Sequence, residues 1–219
     1  MTDFSAARRH MVDGQVRTAD VTDLRLISAM LAVARERFVP QAAASLAYLD
    51  LDLAAGEGAL ASRRLLKPMV LAKLIQAADL NATDRVLDVG CATGYAAAVL
   101  ARIAAQVVAL EQDATLAQAA RAALASLPNV SVVSGPLIDG WPPAAPYDVI
   151  LLEGATEVEP QAFRRQLKEG GRLVCVLGSP PGATAMLYRR SGEEMGSRPI
   201  FDAAATVLPG FAKPPVFAF

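Results

Sequence analysis

The chain predicts an α/β fold: a doubly wound, mostly parallel seven-stranded sheet with helices on both faces, an antiparallel C-terminal hairpin and an N-terminal helical extension. Three observations predict it. From Arg85 onward, short apolar runs alternate with helical stretches. Each run is apolar along its whole length, as strands buried on both faces are. The first run, "RVLDVG", enters an alanine-rich helix through a glycine-bearing turn, "CATG".

The elements follow in order. Residues 5–17 have helical character. Thr22 opens a clearer helix in "TDLRLISAMLAVARERFVP", with Leu26, Ile27, Met30, Leu31 and Val33 on one side, a hydroxyl cap and Pro40 just past its end. "AAASLAYL" forms a further short helix, and residues 50–67 are irregular. Pro68 stands at a first helical position for "PMVLAKLIQAADL". Then come strand "RVLDVG" and helix "YAAAVLARIA", strand "QVVALEQD" and helix "ATLAQAARAALASL". Strand "NVSVVSG" leads into a Pro/Gly loop. Strand "YDVILLEG", helix "EPQAFRRQLKEGG" and strand "RLVCVLG" complete the alternation. "TAMLYRR" and "RPIFDAAATVLP" leave no room for a helix between them, so they close the sheet as an antiparallel hairpin. The phenylalanines of the tail "GFAKPPVFAF" suggest that it docks. We divide the chain into an N-terminal helical extension with a substrate loop, 1–80, and a core, 81–219, in one compact unit.

Composition narrows the function. Hydrophobic residues make up 53% of 219 and the mean hydropathy is +0.33, enough for a large core. The net charge of −1 and the pI of about 5.9 offer no basic excess for nucleic acid and none for a membrane surface. "MTDFSAARRHMVDG" lacks the apolar stretch of a signal peptide. Cys91 and Cys175 have no metal-ligand spacing, so no metal site is expected. They read as free thiols of a cytoplasmic protein. The oligomeric state is left open.

The turn carries the chemistry. A dinucleotide site wants G-x-G-x-x-G, and from Gly90 the next two glycine positions hold Ala92 and Tyr95. A phosphate loop wants a lysine where Tyr95 stands. "DVGCATG" instead has the form acidic-x-G-x-x-x-G. That suits a cationic cofactor without phosphate, approached closely by backbone and balanced by a carboxylate. S-adenosylmethionine is such a ligand. Gly90, Cys91, Ala92 and Gly94 would pass beneath its methionine part, with Asp88 near its ammonium. Glu111 ends the second strand, where an acid can accept the ribose hydroxyls, and Gln112 follows it. In Cys91 itself, small-residue packing explains the residue better than reactivity.

"MVDGQVRTADVTDLRLISAMLAVARERFVP", "RVLDVGCATGYAAAVLARI" and "YDVILLEGATEVEPQAFRRQLKEGGRLVCVLG" together resemble the protein-L-isoaspartate O-methyltransferase family of class I S-adenosylmethionine-dependent methyltransferases. The likeness spans roughly residues 10–207. It implies the cofactor S-adenosylmethionine and, as partner, an isoaspartyl-containing protein or peptide. The acceptor would be a free α-carboxylate, ionised at neutral pH because its ordinary pKa is about 3.5, so no general base is needed. His10, the one histidine, is expected on the surface.

Three stretches depart from the family. Its substrate loop, Gly-x-Gly-Gln-Thr-Ile-Ser-Gln-Pro, corresponds to "GEGALASRRLLKP". Aligned on Gly56 and Gly58, Ser62 takes the place of the family's serine, the catalytic candidate. Aligned on Pro68, Leu66 does. The threonine is gone in either register. Arg63, Arg64 and Lys67 there either pair with an acidic acceptor or face water. The family's adenine-binding Gly-Asp-Gly is Gly135-Pro136-Leu137. In "EGAT", Glu153 adds a negative charge beside the cofactor and the acceptor. These departures keep two alternatives in view: a methyltransferase with a different acceptor, and a cofactor-binding or regulatory homologue that has lost catalysis.

Overall fold

Asp3 caps α1 (Phe4–Met11): its carboxylate accepts from the amides of Ser5 and Ala6. The computed structural model describes residues 3–179 and 181–214. After α1 the backbone passes through a π-turn at Val12–Val16 and a 3-10 turn at Arg17–Ala19. Helix α2 (Leu24–Ala32) is capped by Asp23 rather than by the hydroxyl of Thr22. It also stops short of the expected end, and Arg35–Phe38 is a separate 3-10 turn. The cause is Arg35, which turns into the core. Fully buried, it donates to the carbonyls of Ala47 (2.9 Å) and Leu66 (2.8 Å) and lies 4.6 Å over the Tyr95 ring. One guanidinium thus ties the N-terminal helices to the following loop and to the helix that begins at Tyr95. The short helix expected near residue 42 is a 3-10 turn, Gln41–Leu46.

A small ribbon follows, β1 (Leu53–Ala54) against β2 (Arg64–Leu65), with a 3-10 turn at Gly58–Ser62 between them. Helix α3 (Pro68–Ala77) starts on its proline, as expected. The core then runs β3 (Arg85–Val89), α4 (Tyr95–Leu100), β4 (Gln106–Glu111), α5 (Ala114–Leu124), β5 (Val130–Ser134), β6 (Tyr147–Thr156), β7 (Leu167–Leu177), β8 (Thr184–Ser191) and β9 (Glu194–Asp202). The sheet order is β5-β4-β3-β6-β7-β8-β9, parallel as far as β7 and antiparallel from β7 to β9. The doubly wound sheet and its closing hairpin are therefore as predicted.

Three elements differ from expectation. Helix α4 ends at Leu100, where Asn129 donates to the freed carbonyls of Ala101 and Ala104. The helix expected over "EPQAFRRQLKEGG" is only a 3-10 turn, Gln161–Gln166. Gln166 is held by bonds to the carbonyl of Asp139 and the amide of Trp141, and β7 begins at once at Leu167. Finally, β9 ends at Asp202, and "AAATVLP" turns back over the sheet.

Alternate strand residues point to opposite faces. Val86, Val107, Ala109, Val149, Leu151 and Val174 pack beneath the α-helices. Leu87, Val89, Val108, Leu110, Ile150 and Leu152 pack beneath short 3-10 turns that supply Leu137 and Phe163. Phe211 completes that cover, stacked on Phe163 at 6.1 Å, so the tail docks through this phenylalanine. The rest of it, 215–219, lies outside the described residues. The order of strands reverses between β3 and β4 on one side and β6 on the other, and ligands of open sheets bind at such a switch point, beyond the strands' carboxyl ends.

Candidate cofactor crevice

Strand β3 delivers Asp88 and then releases the chain into the turn. Gly90 (φ +80°), Ala92 (φ +49°) and Gly94 (φ +95°) are all left-handed. The glycines adopt this conformation freely, whereas Ala92 does so at a cost of about 1 kcal/mol. That conformation aims the Ala92 amide at Glu111 Oε2, 2.8 Å away. Glu111, at the end of β4, is almost wholly buried. Its Oε1 accepts from the amides of Gln112 (2.8 Å) and Asp113 (3.1 Å), and its Oε2 also accepts from Arg63 Nη2 at 2.7 Å. The same Nη2 donates to the Gly90 carbonyl at 3.1 Å.

Asp88 and Glu153 face each other at the ends of β3 and β6, both buried. As carboxylates they would have no donor between them: Asp88 Oδ1 and Oδ2 and Glu153 Oε1 lack hydrogen-bond partners among the described residues. A proton shared by the two supplies one. Burial accordingly pushes Asp88 up to about 7, with the Glu111 charge adding to the rise. It raises Glu153 well above the usual carboxylate range, Asp88 contributing next. Cys91 is likewise held as a buried thiol by desolvation and by the nearby acids. The reading of Cys91 as a packing residue agrees with this.

The space over Gly90 is filled by the protein itself. A Cβ built on Gly90 would stand 3.0 Å from Leu208 Cδ2, 3.2 Å from Arg63 Nη2 and 3.5 Å from Leu137 Cδ1. Leu208 arrives on the returning strap. The Ala155 amide donates to the Thr206 carbonyl and the Leu208 amide to the Ala155 carbonyl, each at 2.9 Å. Outside Arg63 lies a cavity of about 340 Å³ lined by Leu60, Ser62, Glu111, Gln112, Asp113 and Pro209, among others. Arg63 forms the wall between that cavity and the acid pair.

The residues singled out from sequence divide accordingly. Asp88, Gly90, Cys91, Ala92, Gly94, Glu111, Leu137 and Glu153 converge at the carboxyl ends of β3, β4 and β6. Gln112 joins them through its backbone, and its Oε1 accepts from the Leu137 amide at 3.5 Å. The Gly135 amide reaches the Glu111 carbonyl at 3.3 Å, and the Pro136 carbonyl accepts from Asp139 at the same distance. Gly135 packs under Trp141, where a Cβ would meet the indole at 3.3 Å. Ser62 stands outside this convergence but lines the adjoining cavity with Glu111 and Gln112. It is exposed, and its hydroxyl donates to the carbonyl of Ala59 in its own turn. Its neighbour Arg63 enters instead, while Arg64 faces outward and donates to the Asp52 carbonyl. Nothing in the sequence marks Leu208. For Arg63 the usable signal is charge: three acids at one sheet end need a cation.

The residue types fit a cationic adenosyl cofactor. Two buried acids lack a protein donor among the described residues and Glu111 borders the adjoining cavity, while the approach to Gly90 is taken by the movable side chains of Arg63 and Leu208 and that to Gly94 by Leu124. A family model described as Protein-L-isoaspartate(D-aspartate) O-methyltransferase matches residues 6–200. The Protein-L-isoaspartate O-methyltransferase of Methylorubrum populi is 45% identical over 195 residues, 89% of this chain and 89% of its own. That of a Roseiflexus species is 38% identical over 210 residues, 95% and 94% of the two chains. A solved structure of a protein-L-isoaspartate O-methyltransferase superposes with a TM-score of 0.81 at 25% identity, over 93% of this chain and 66% of that one. A Plasmodium falciparum structure holding S-adenosyl-L-homocysteine superposes at 0.74, covering 95% and 99% of the two, and its 16% identity makes this a likeness of fold alone. By the family model and these relatives, the chain belongs to the protein-L-isoaspartate(D-aspartate) O-methyltransferase family.

Proposed function

We propose that the chain is an S-adenosylmethionine-dependent O-methyltransferase that esterifies the free carboxylate of isoaspartyl residues in damaged proteins. The observation that carries this is the buried Asp88–Glu153 pair, which has no hydrogen-bond donor among the described residues and stands beside Glu111 in a member of this family. When bound, the cofactor supplies an electrophilic methyl group on a positively charged sulfur. Asp88 and Glu153 would balance that charge and the ammonium, the nearby positive charge favouring their ionised forms and release of the proton to solvent. Glu111 would accept hydrogen bonds from the ribose hydroxyls in place of Arg63. Leu137 would offer the adenine an apolar surface at the position where the family has an aspartate. The acceptor oxygen is already ionised, so the protein's work is to hold it in line and exclude water.

An open groove of about 480 Å³ is lined by Asp52, Arg64 and residues 204–207, next in sequence to Arg63 and Leu208 of the crevice. We assign it to the acceptor peptide, with Arg64 as the cation that attracts its carboxylate. Glu153 turns toward Asp88 and so does not repel that carboxylate. We place the protein in the cytoplasm, where two free thiols persist. No helix among the described residues is long and apolar enough to cross a membrane.

The test is methyl transfer to an isoaspartyl peptide and to its aspartyl twin. We expect an alkali-labile ester on the first alone. Labelling of neither peptide would remove the repair function. One observation favours a second reading, a homologue without catalysis: Arg63 and Leu208 close over Gly90. Binding of S-adenosylhomocysteine by the wild-type chain would weigh against that alternative.

A further inference from the structure

Glu111 draws a complete set of donors from the chain itself. Three are backbone amides, fixed by the turn and by the start of α5. The fourth is the guanidinium of Arg63, the one donor of the four on a side chain. Arg63 is brought in by the 3-10 turn at Gly58–Ser62 and by its backbone: its amide donates to the Leu60 carbonyl at 3.0 Å, and its carbonyl accepts from the Ala55 amide at 2.8 Å. Its own Nε is buried without a partner among the described residues. A guanidinium that leaves one donor unsatisfied is held there by the acid, not by a full set of bonds. It also stands over Gly90, which is the approach that a cofactor's methionine part needs.

We propose that Arg63 is a built-in latch on the cofactor crevice, an internal cation that occupies Glu111 and the mouth over Gly90 until the adenosyl ligand displaces it. The inference rests on the cofactor reading above. Glu111 exchanges one donor for the ribose hydroxyls, so the carboxylate is satisfied in both states. What changes is the position of the 55–66 segment, which carries Arg63 outward. Affinity for the ligand is lowered by the fraction of molecules in which the latch is closed. The departure of this loop from the family's pattern thereby gains a physical role: it replaces a hydroxyl-bearing segment with one that competes for the site.

The test is calorimetric titration of S-adenosylhomocysteine into the wild-type chain and into Arg63→Ala, with hydrogen exchange on the wild type as a second readout. The variant keeps three amide donors on Glu111, and its fold is checked by circular dichroism. The expected result is binding to Arg63→Ala at least about tenfold tighter than to the wild type. In the wild type, the ligand should slow exchange at Ala92 and Gln112 and speed it at Ala55 and Arg63, as the latch opens. Binding by the variant that is equal to or weaker than that of the wild type, or slowed exchange at Ala55 and Arg63, would overturn the latch and leave the cofactor reading standing. Absence of binding to both proteins would overturn both.

Discussion

Asp88 on β3 and Glu153 on β6 form a buried carboxyl pair whose Asp88 Oδ1 and Oδ2 and Glu153 Oε1 have no hydrogen-bond partner among the described residues, with the Arg63 and Arg35 charges both felt at Glu153. Glu111 and the Cys91 thiol complete its surroundings. The pair makes the protein sensitive to pH in an unusual direction. The pKa of Asp88 is about 7 when folded against an ordinary 3.8, so the folded chain binds more protons than the unfolded one across that window. Stability is therefore highest below the unfolded value and falls as pH rises through the folded one.

The first prediction follows from this linkage. The urea midpoint should be higher near about pH 5 than near about pH 8. Each tenfold difference in proton affinity between the folded and unfolded chains corresponds to roughly 1.4 kcal/mol. Asp88→Asn should flatten the profile, because its amide donates to Glu153 at every pH. A midpoint that rises with pH over the same range would show that the pair carries no buried proton.

Glu111 gathers four donors, and its removal strands them. Glu111→Ala should destabilise the chain by about 3 kcal/mol, since a buried guanidinium and three amides lose their acceptor. It should also abolish detectable S-adenosylhomocysteine binding. Chemical denaturation and calorimetry read the two effects separately. A variant as stable as the parent would mean that water satisfies those donors.

The strap crosses β6 at a residue with no side chain. A Cβ on Gly154 would lie 2.7 Å from Leu208 Cγ and 2.8 Å from the Thr206 carbonyl, which as backbone cannot rotate away. Gly154→Ala should lift residues 206–208 at a cost of about 1–3 kcal/mol. Hydrogen exchange at the Leu208 amide should then accelerate. Unchanged exchange there would show that the strap is held from elsewhere, for instance by the stacked rings of Phe163 and Phe211.

Arg64 tests the acceptor groove. It is exposed and hydrogen-bonds to the Asp52 carbonyl rather than to Glu111, so Arg64→Ala should leave ligand affinity and fold intact. The KM for an isoaspartyl peptide should rise by about three- to tenfold with little change in kcat, the pattern of lost ground-state binding. A fall in kcat at constant KM would contradict this role.

How much of this is legible in the sequence depends on range. The strands of the sheet announce themselves through continuous apolar runs, and Asp88, Gly90, Gly94 and Glu111 through spacing along one strand–turn–helix–strand path. Those are local signals. Apolar periodicity overpredicts four helices, and for two of them a tertiary anchor ends the helix: the buried Arg35 after α2, and Gln166 before β7. Alignment with the family's loop on its glycines places Ser62 at the serine and alignment on Pro68 places Leu66 there; in the structure the Ser62 hydroxyl bonds back to its own turn while the neighbouring guanidinium reaches Glu111. No periodicity encodes that choice in a 3-10 turn. Leu208 is invisible for a similar reason. Its contact with Gly90 joins residues far apart in the chain, through a segment whose composition resembles a plain strand.

The most direct measurement is a crystal structure of the wild-type chain with S-adenosylhomocysteine. The ribose should lie on the Glu111 carboxylate and the amino group toward Asp88 and Glu153, with Arg63 withdrawn from both Glu111 and the Gly90 carbonyl. Arg63 still bonded to Glu111 in crystals grown with excess ligand, and no ligand over Gly90, would contradict the assignment of this crevice.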